Sequence, residues 1–246
     1  MGGPRGTAFD QAQYDAIYPD GVERHYWNRS RYAAIVSLLR RSGSSGPILD
    51  VGCGKGLVVA ALHGQGFEVR GVELADVPAL PAVAQLVRCG TDALDLPEVE
   101  RGQVSTILLL DVIEHLEDPG QFLARLRDGF PALRTVVVTV PARQELFSDF
   151  DVFNGHFRRY HPALLRQHLS LLQGRVIHLS YLFHALYPAA LLLARHGRSR
   201  SFHAPAPGPA NWLHAALGRL FLLEWRCLPR AWRGTSLLAA VRLERP

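Results

Sequence analysis

Apolar residues recur along this chain in two rhythms. Short, nearly unbroken apolar runs stand at 48–51, 68–72, 86–89, 104–110, 135–140, 176–182 and 234–243, each of a length that suits a buried strand. Between several of them the spacing turns helical. Trp27, Ile35 and Leu38 share a face within 23–41; 57–63 is amphipathic; 161–172 is helical; and Leu213, Leu217, Leu220, Phe221 and Trp225 fall on one side of 212–225. Asp118 is a natural N-cap before Pro119 at the first helical position, with Gln121 completing a capping box and Phe122, Leu123, Leu126 and Phe130 as the inner stripe. Strands alternating with helices predict an open, doubly wound α/β sheet.

Other stretches carry less pattern. Residues 1–12 read as a loose leader, 42–46 as a Gly/Ser linker and 78–87 as a short helix or loop. The polar, aromatic run 148–160 is too long for a tight turn and reads as a functional loop over a site. The most apolar run, 182–194, is broken by His184 and Pro188 and is shorter than a comfortable membrane span. An Arg/Ser/Pro/Gly-rich loop follows at 195–209.

Candidate chemistry concentrates at the first strand. It contains Asp50 and ends in the turn Gly52-x-Gly54-x-Gly56, and the next strand ends on Glu73. Glycines let the backbone bend sharply and let a ligand press against it. A carboxylate closing the second strand can take both hydroxyls of a ribose. A pyrophosphate wants bare N–H groups and a helix N-terminus, and Asp50 would repel it. S-adenosylmethionine carries no phosphate and two cationic groups, so the acid–glycine–acid set resembles the first motif of the class I methyltransferases that use it. The alternative is a glycine turn in another doubly wound sheet.

Asp92 and Ala93 follow the third strand, beside the place an adenine would occupy; Asp92 either accepts from its amine or caps its own turn. Arg31 lies on the apolar face of 23–41, where it either meets a bound carboxylate or extends its head to water. Asp111, Glu114 and His115 stand at the carboxyl end of the fourth strand, where open α/β sheets bind ligands.

The 246 residues suit a single α/β domain: leader and capping helix at 1–41, core at 47–182, a helical insertion at 183–233 and a last strand at 234–246. Three cysteines without metal-type spacing argue for reduced thiols and a cytoplasmic setting. The net charge of +5 is almost all arginine. It implies either a solvated surface or attraction to an acidic substrate or anionic membrane. Nucleic acid is disfavoured, because no basic run is interleaved with aromatics. The stretch 212–225 either packs on the core or lies in a membrane interface.

Taken together, 48–56, Glu73, Asp92 and 111–119 resemble the ubiquinone-biosynthesis O-methyltransferase group and its bacterial relatives, with the superfamily likeness covering roughly 23–182. Tyr26-Trp27, 155–160 and 234–238 resemble a bacterial subfamily of methyltransferases. The resemblance implies a seven-stranded sheet in the order 3-2-1-4-5-7-6 with strand 7 antiparallel. It implies that Arg31 holds the cofactor carboxylate, that the backbone at Gly52 meets the methionine portion and that Leu110 flanks the cofactor. It also associates Asp111, Glu114 and His115 with a divalent cation, although an Asp at 111 is shorter than the Glu usual there.

The reaction so implied is methyl transfer to a small-molecule acceptor, first of all a hydroxyl oxygen; the alternatives are an N-methyltransferase or a non-catalytic cofactor-binding module. His156 and His115 are the candidate bases, with Asp111 beside them. His156 is preferred for its place in the covering loop, against a purely structural bond to Asp151. Arg158 and Arg159 suit an acidic acceptor, unless one of them pairs with Asp149 or Asp151. Tyr26, Trp27 and Tyr160 would wall an acceptor or simply pack.

Overall fold

The computed structural model describes residues 13–244 apart from 15, 16, 45 and 196–207. The expected leader and most of the expected loop at 195–209 lie outside the described residues. The elements in chain order are α1 (Tyr26–Ser42), β1 (Ile48–Val51), α2 (Leu57–His63), β2 (Val69–Val72), β3 (Val87–Arg88), α3 (Glu98–Arg101), β4 (Thr106–Leu110), α4 (Pro119–Gly129), β5 (Thr135–Pro141), α5 (Asp149–Phe153), α6 (Pro162–Leu169), β6 (Gly174–Leu182), α7 (Leu186–Arg195), α8 (Pro209–Cys227) and β7 (Ser236–Leu243). Six short 3-10 turns link them, among them Val22–Arg24, Pro81–Leu86 and Ser170–Leu172.

The strands form a seven-stranded sheet in the order 3-2-1-4-5-7-6. β1 through β5 run parallel, and β7 runs antiparallel to both β5 and β6. The unbroken apolar strands follow from burial on both faces. Along β4, Ile107 and Leu109 face the core under α4 and α6, while Leu108 and Leu110 face the core under α1 and α8.

Three expectations change in detail. The helix expected over 23–41 is broken at His25, whose extended backbone and side chain cap a new helix by accepting from the Trp27 N–H. The helix expected over 161–172 becomes a 3-10 turn after Leu169. On α8 the expected stripe splits: Phe221 and Trp225 are buried, whereas Leu213 is 51% and Leu220 57% exposed. At 100° per residue Leu213 and Leu220 lie well round the helix from Phe221 and Trp225.

The inner side of α8 packs on α1. Phe221 stacks on Tyr26 with ring centroids 5.3 Å apart, and His214 Nδ1 accepts from the Tyr26 N–H at 3.2 Å. Phe183, at the end of β6, stacks on Trp27 at 5.7 Å. The insertion thus presses α1 against the sheet's carboxyl edge. The chain re-enters the sheet at Gly234, where a Cβ would collide with the carbonyl oxygen of Leu182. Backbone faces backbone there, so no side chain can yield.

Gly234→Ala is expected to lose about 2–3 kcal/mol of stability through overpacking, read as a lower urea midpoint. An unchanged midpoint would mean that the β6–β7 junction relaxes freely.

Candidate active site

The chain leaves β1 through Gly52, Gly54 and Gly56, all at positive φ (73°, 56° and 85°). A Cβ at Gly52 would lie 2.9 Å from Val112, and one at Gly54 would overlap the hydroxyl of Tyr18. Glu73 closes the turn from the next strand. Its Oε2 accepts from the Gly54 N–H at 2.8 Å and its Oε1 from the Ala75 N–H at 3.1 Å. Tyr14 also hydrogen-bonds Glu73, and Tyr14 stacks on Tyr18 at 5.7 Å. These two tyrosines, one helical turn apart, carry no sequence signal beyond their spacing.

Asp50 is 1% exposed, and its Oδ1 is buried with no hydrogen-bond partner. Burial pushes its carboxyl up to about 7, partly opposed by the Arg31 charge and reinforced by Glu73. Ala93 is buried, and Asp92 Oδ1 accepts from the Leu94 N–H at 2.9 Å, capping its own turn.

Arg31 is buried at the carboxyl edge. Its Nη2 lies 2.9 Å from Asp111 Oδ2 and donates to Thr139 Oγ1 at 3.1 Å. Thr139 in turn donates to Asp111 Oδ1 at 3.1 Å. The guanidinium lies 4.7 Å from the Trp27 ring centroid, and its Nε is buried without a partner. Asp111 follows Leu110 with φ at 60°, a left-handed conformation uncommon outside glycine. Its carboxylate is thereby turned to Arg31. Thr139 was the missed member of this group; it is the second of two threonines in the otherwise apolar Thr-Val-Val-Val-Thr-Val-Pro.

The loop over the site contains α5, capped reciprocally by Ser148 and Asp151. Asp151 is fully buried and is the loop's hub. Its Oδ1 meets His156 Nδ1 at 2.7 Å and accepts from Arg159 Nε at 2.8 Å, while its Oδ2 accepts from the Ser148 N–H at 2.9 Å. Burial alone would raise the Asp151 carboxyl, yet the His156 and Arg159 contacts outweigh it and hold it below the usual range. The Phe157 N–H donates to the Glu114 carbonyl at 2.9 Å, pinning the loop to the end of β4. His115 and His156 therefore meet edge to face, with ring centroids 4.6 Å apart.

Glu114 is fully buried, and neither carboxylate oxygen has a hydrogen-bond partner. Burial first, then the Asp111 charge, pushes its carboxyl well up. Burial and His156 push the His115 imidazole down to about 4. One ligand atom from each of Glu114, His115 and His156 lies within 4.8 Å of the others.

Of the remaining candidates, Arg158 is half-buried and donates to the Glu117 carbonyl at 3.0 Å. Arg159 is 6% exposed and committed to Asp151. Tyr160 is fully buried, with its hydroxyl 3.3 Å from the Ile113 carbonyl oxygen. Tyr26 and Trp27 are half-buried on α1.

A family model described as a methyltransferase domain matches residues 24–182, well over half of the chain. The chain belongs to this methyltransferase family.

Curated relatives match over a shorter span. A ubiquinone biosynthesis O-methyltransferase of Pseudomonas paraeruginosa is 29% identical over 91 residues, 34% of this chain and 39% of that protein. One from Rickettsia typhi is 34% identical over 84 residues, 32% and 34% of the two chains. The matched part of the chain thus spans little more than a third of these relatives' length.

Solved structures share the fold. The 1,6-didemethyltoxoflavin-N1-methyltransferase of Burkholderia thailandensis, bound to S-adenosylhomocysteine, has a TM-score of 0.55 at 18% identity, covering 95% of this chain and 87% of that one. The magnesium protoporphyrin IX methyltransferase of Synechocystis PCC 6803, also with S-adenosylhomocysteine, has a TM-score of 0.54 at 13% identity, covering 99% and 90%.

Both of these solved structures hold S-adenosylhomocysteine, and the residues of this methyltransferase domain fit S-adenosylmethionine. A partnerless carboxylate oxygen at Asp50 suits a cation, a partnerless guanidinium Nε at Arg31 suits a carboxylate, and the glycine turn has no room for side chains.

Two outcomes are expected. Asp50 titrates near 7, so S-adenosylmethionine affinity should rise with pH from 6 to 8 in calorimetry, and Asp50→Asn should flatten that rise. The raised carboxyl has the opposite effect on the free protein: its contribution to stability is present below about 4 and lost as pH rises through about 7. Parallel profiles for the two proteins would remove Asp50 from cofactor binding. Asp151→Asn should cost about 3–5 kcal/mol in urea unfolding, because Arg159 is left buried beside a neutral amide; a loss below 1 kcal/mol would show that the hub is dispensable.

Proposed function

We propose that this chain transfers a methyl group from S-adenosylmethionine to a hydroxyl oxygen of a small-molecule acceptor in the cytoplasm. The observation that carries the reading is the Asp151–His156 bond at 2.7 Å, in a loop pinned to the end of β4. A carboxylate on Nδ1 fixes the ring and its tautomer and leaves Nε2 to take a proton. Arg158, half-buried at the same loop, suits an acceptor carrying negative charge. Tyr26 and Trp27 would flank an apolar body only by their edges, since Tyr26 stacks on Phe221 and Trp27 packs with Phe183 and the Arg31 guanidinium.

The cofactor supplies a methyl group already activated by a positive sulfur. The chain's own tasks are positioning and proton removal. Arg31 would hold the cofactor carboxylate and Asp50 its ammonium. The Gly52 and Gly54 backbone and Leu110 would flank it, Glu73 would take the ribose, and Asp92 and Ala93 would meet the adenine. His156 would receive the acceptor's proton, with Asp151 stabilising the imidazolium that forms.

One observation favours a second reading of the same cluster. Both oxygens of Glu114 are buried without partners next to His115 and His156. Two imidazoles and a carboxylate suit a divalent ion such as Zn²⁺ or Mn²⁺. There the ion would lower the pKa of an acceptor hydroxyl, and Asp111 would stay with Arg31.

His156→Gln separates the two. On a panel of phenols and sugars, release of S-adenosylhomocysteine should fall by about 10²-fold or more, while calorimetric affinity for S-adenosylmethionine stays unchanged. If the purified protein carries a stoichiometric metal that this variant loses, the second reading holds. Undiminished turnover would refute both.

A further inference from the structure

The outer face of α8 is built unlike the rest of the surface. Its inner side is spent on α1 through Phe221 and Trp225. Its outer side shows Trp212 (74% exposed), Leu213 (51%), Leu220 (57%) and Leu223 (56%), which fall within one side of the helix at 100° per residue. Exposed Arg219 and Arg226 run along one border of that stripe, one helical repeat apart. Just beyond the helix, exposed Trp232 sits between exposed Arg230 and Arg233.

Charge is segregated with it. Residues 183–243 hold eight arginines and one acid, Glu224, which is more positive charge than the whole chain's net +5. The remainder of the protein is therefore net acidic. Glu224 is half-buried, its carboxylate turned to the N–H groups of His184 and Ala185 at 2.5 and 3.1 Å.

We infer that the outer face of α8 is a docking surface for an anionic lipid membrane, lying in the interface with its apolar stripe inserted and its arginines on the headgroups. An apolar stripe bordered by guanidinium groups, with tryptophans exposed beside it, is the composition of an interfacial helix. No helix of the described residues is long and apolar enough to cross a bilayer, so the contact lies on the surface rather than spanning it. A second copy is the poorer occupant. A two-fold contact through this stripe would bring the Arg219 and Arg226 borders of two chains together with no acid on the outer face to offset them.

Docking through α8 does not depend on the methyltransferase reading. Its consequence rests on that reading: α8 backs directly onto α1, which carries Tyr26, Trp27 and Arg31, so docking would bring the acceptor side close to the bilayer.

The test is sedimentation of the full chain with vesicles of phosphatidylglycerol and phosphatidylcholine at low salt, beside pure phosphatidylcholine vesicles. Binding should require the anionic lipid, weaken as salt rises and shift the tryptophan emission to the blue. Leu220→Glu/Leu223→Glu and, separately, Arg219→Glu/Arg226→Glu should each weaken binding by about tenfold or more, with thermal midpoints unchanged since all four side chains are exposed. Three results would overturn the inference. The chain stays in the supernatant when anionic vesicles pellet; either double variant binds as the parent does; or light scattering shows a dimer that Leu220→Glu/Leu223→Glu dissolves while the parent ignores vesicles. Cofactor calorimetry on the same samples tells this failure apart from failure of the methyltransferase reading.

Discussion

A single buried guanidinium joins the parts of this protein that build its site. Arg31 reaches from α1 to Asp111 at the end of β4 and to Thr139 in β5. Placing that charge out of water is costly unless its hydrogen-bonding capacity is met. Asp111, Thr139, which also bonds Asp111, and the face of Trp27 meet part of it. Its Nε stays buried without a partner at the edge where the sheet's ligands bind. The same contacts fix where α1 sits, and α1 in turn seats α8.

Around that cation the carboxyl edge gathers acids. Asp50, Glu73 and Glu114 are all buried, and Asp111 is half-buried. Only Glu73 and Asp111 have their charge met by backbone amides or by Arg31. Asp50 and Glu114 have partnerless oxygens, and burial shifts both toward the protonated form. Such groups release their protons to solvent readily when a positive ligand binds, because a cation offsets the desolvation that holds the proton on. An edge of this kind repels a pyrophosphate and accepts a sulfonium, an ammonium or a metal ion. The choice of cofactor thus follows from electrostatics as well as from family membership.

The strand positions were legible because strands buried on both faces read as apolar runs, and glycines and acids punctuate their ends; the sheet order came only from the resemblance to the methyltransferases. The glycine turn and Glu73 were legible for the same reason. What escaped is tertiary. Arg31 was visible as a charge on an apolar face, but its partner was not, since nothing local says that Asp111 adopts a left-handed backbone and turns toward α1. Tyr14 and Tyr18 are ordinary aromatics until the chain lays them on Glu73 and Gly54. Arg159 and Arg158 look alike in sequence, yet one is buried on Asp151 and the other is half-buried on the Glu117 carbonyl. On α8 both sides are rich in leucine, so composition could not tell the packed side from the outer one.

The most direct measurement of the central claim is a crystal structure of the chain soaked with S-adenosylhomocysteine. The account predicts the ligand's carboxylate on the Arg31 guanidinium, its ammonium within hydrogen-bond distance of Asp50 and its ribose hydroxyls on Glu73. A nucleoside bound elsewhere, with the Arg31–Asp111 pair and the Asp50 environment unaltered, would contradict it.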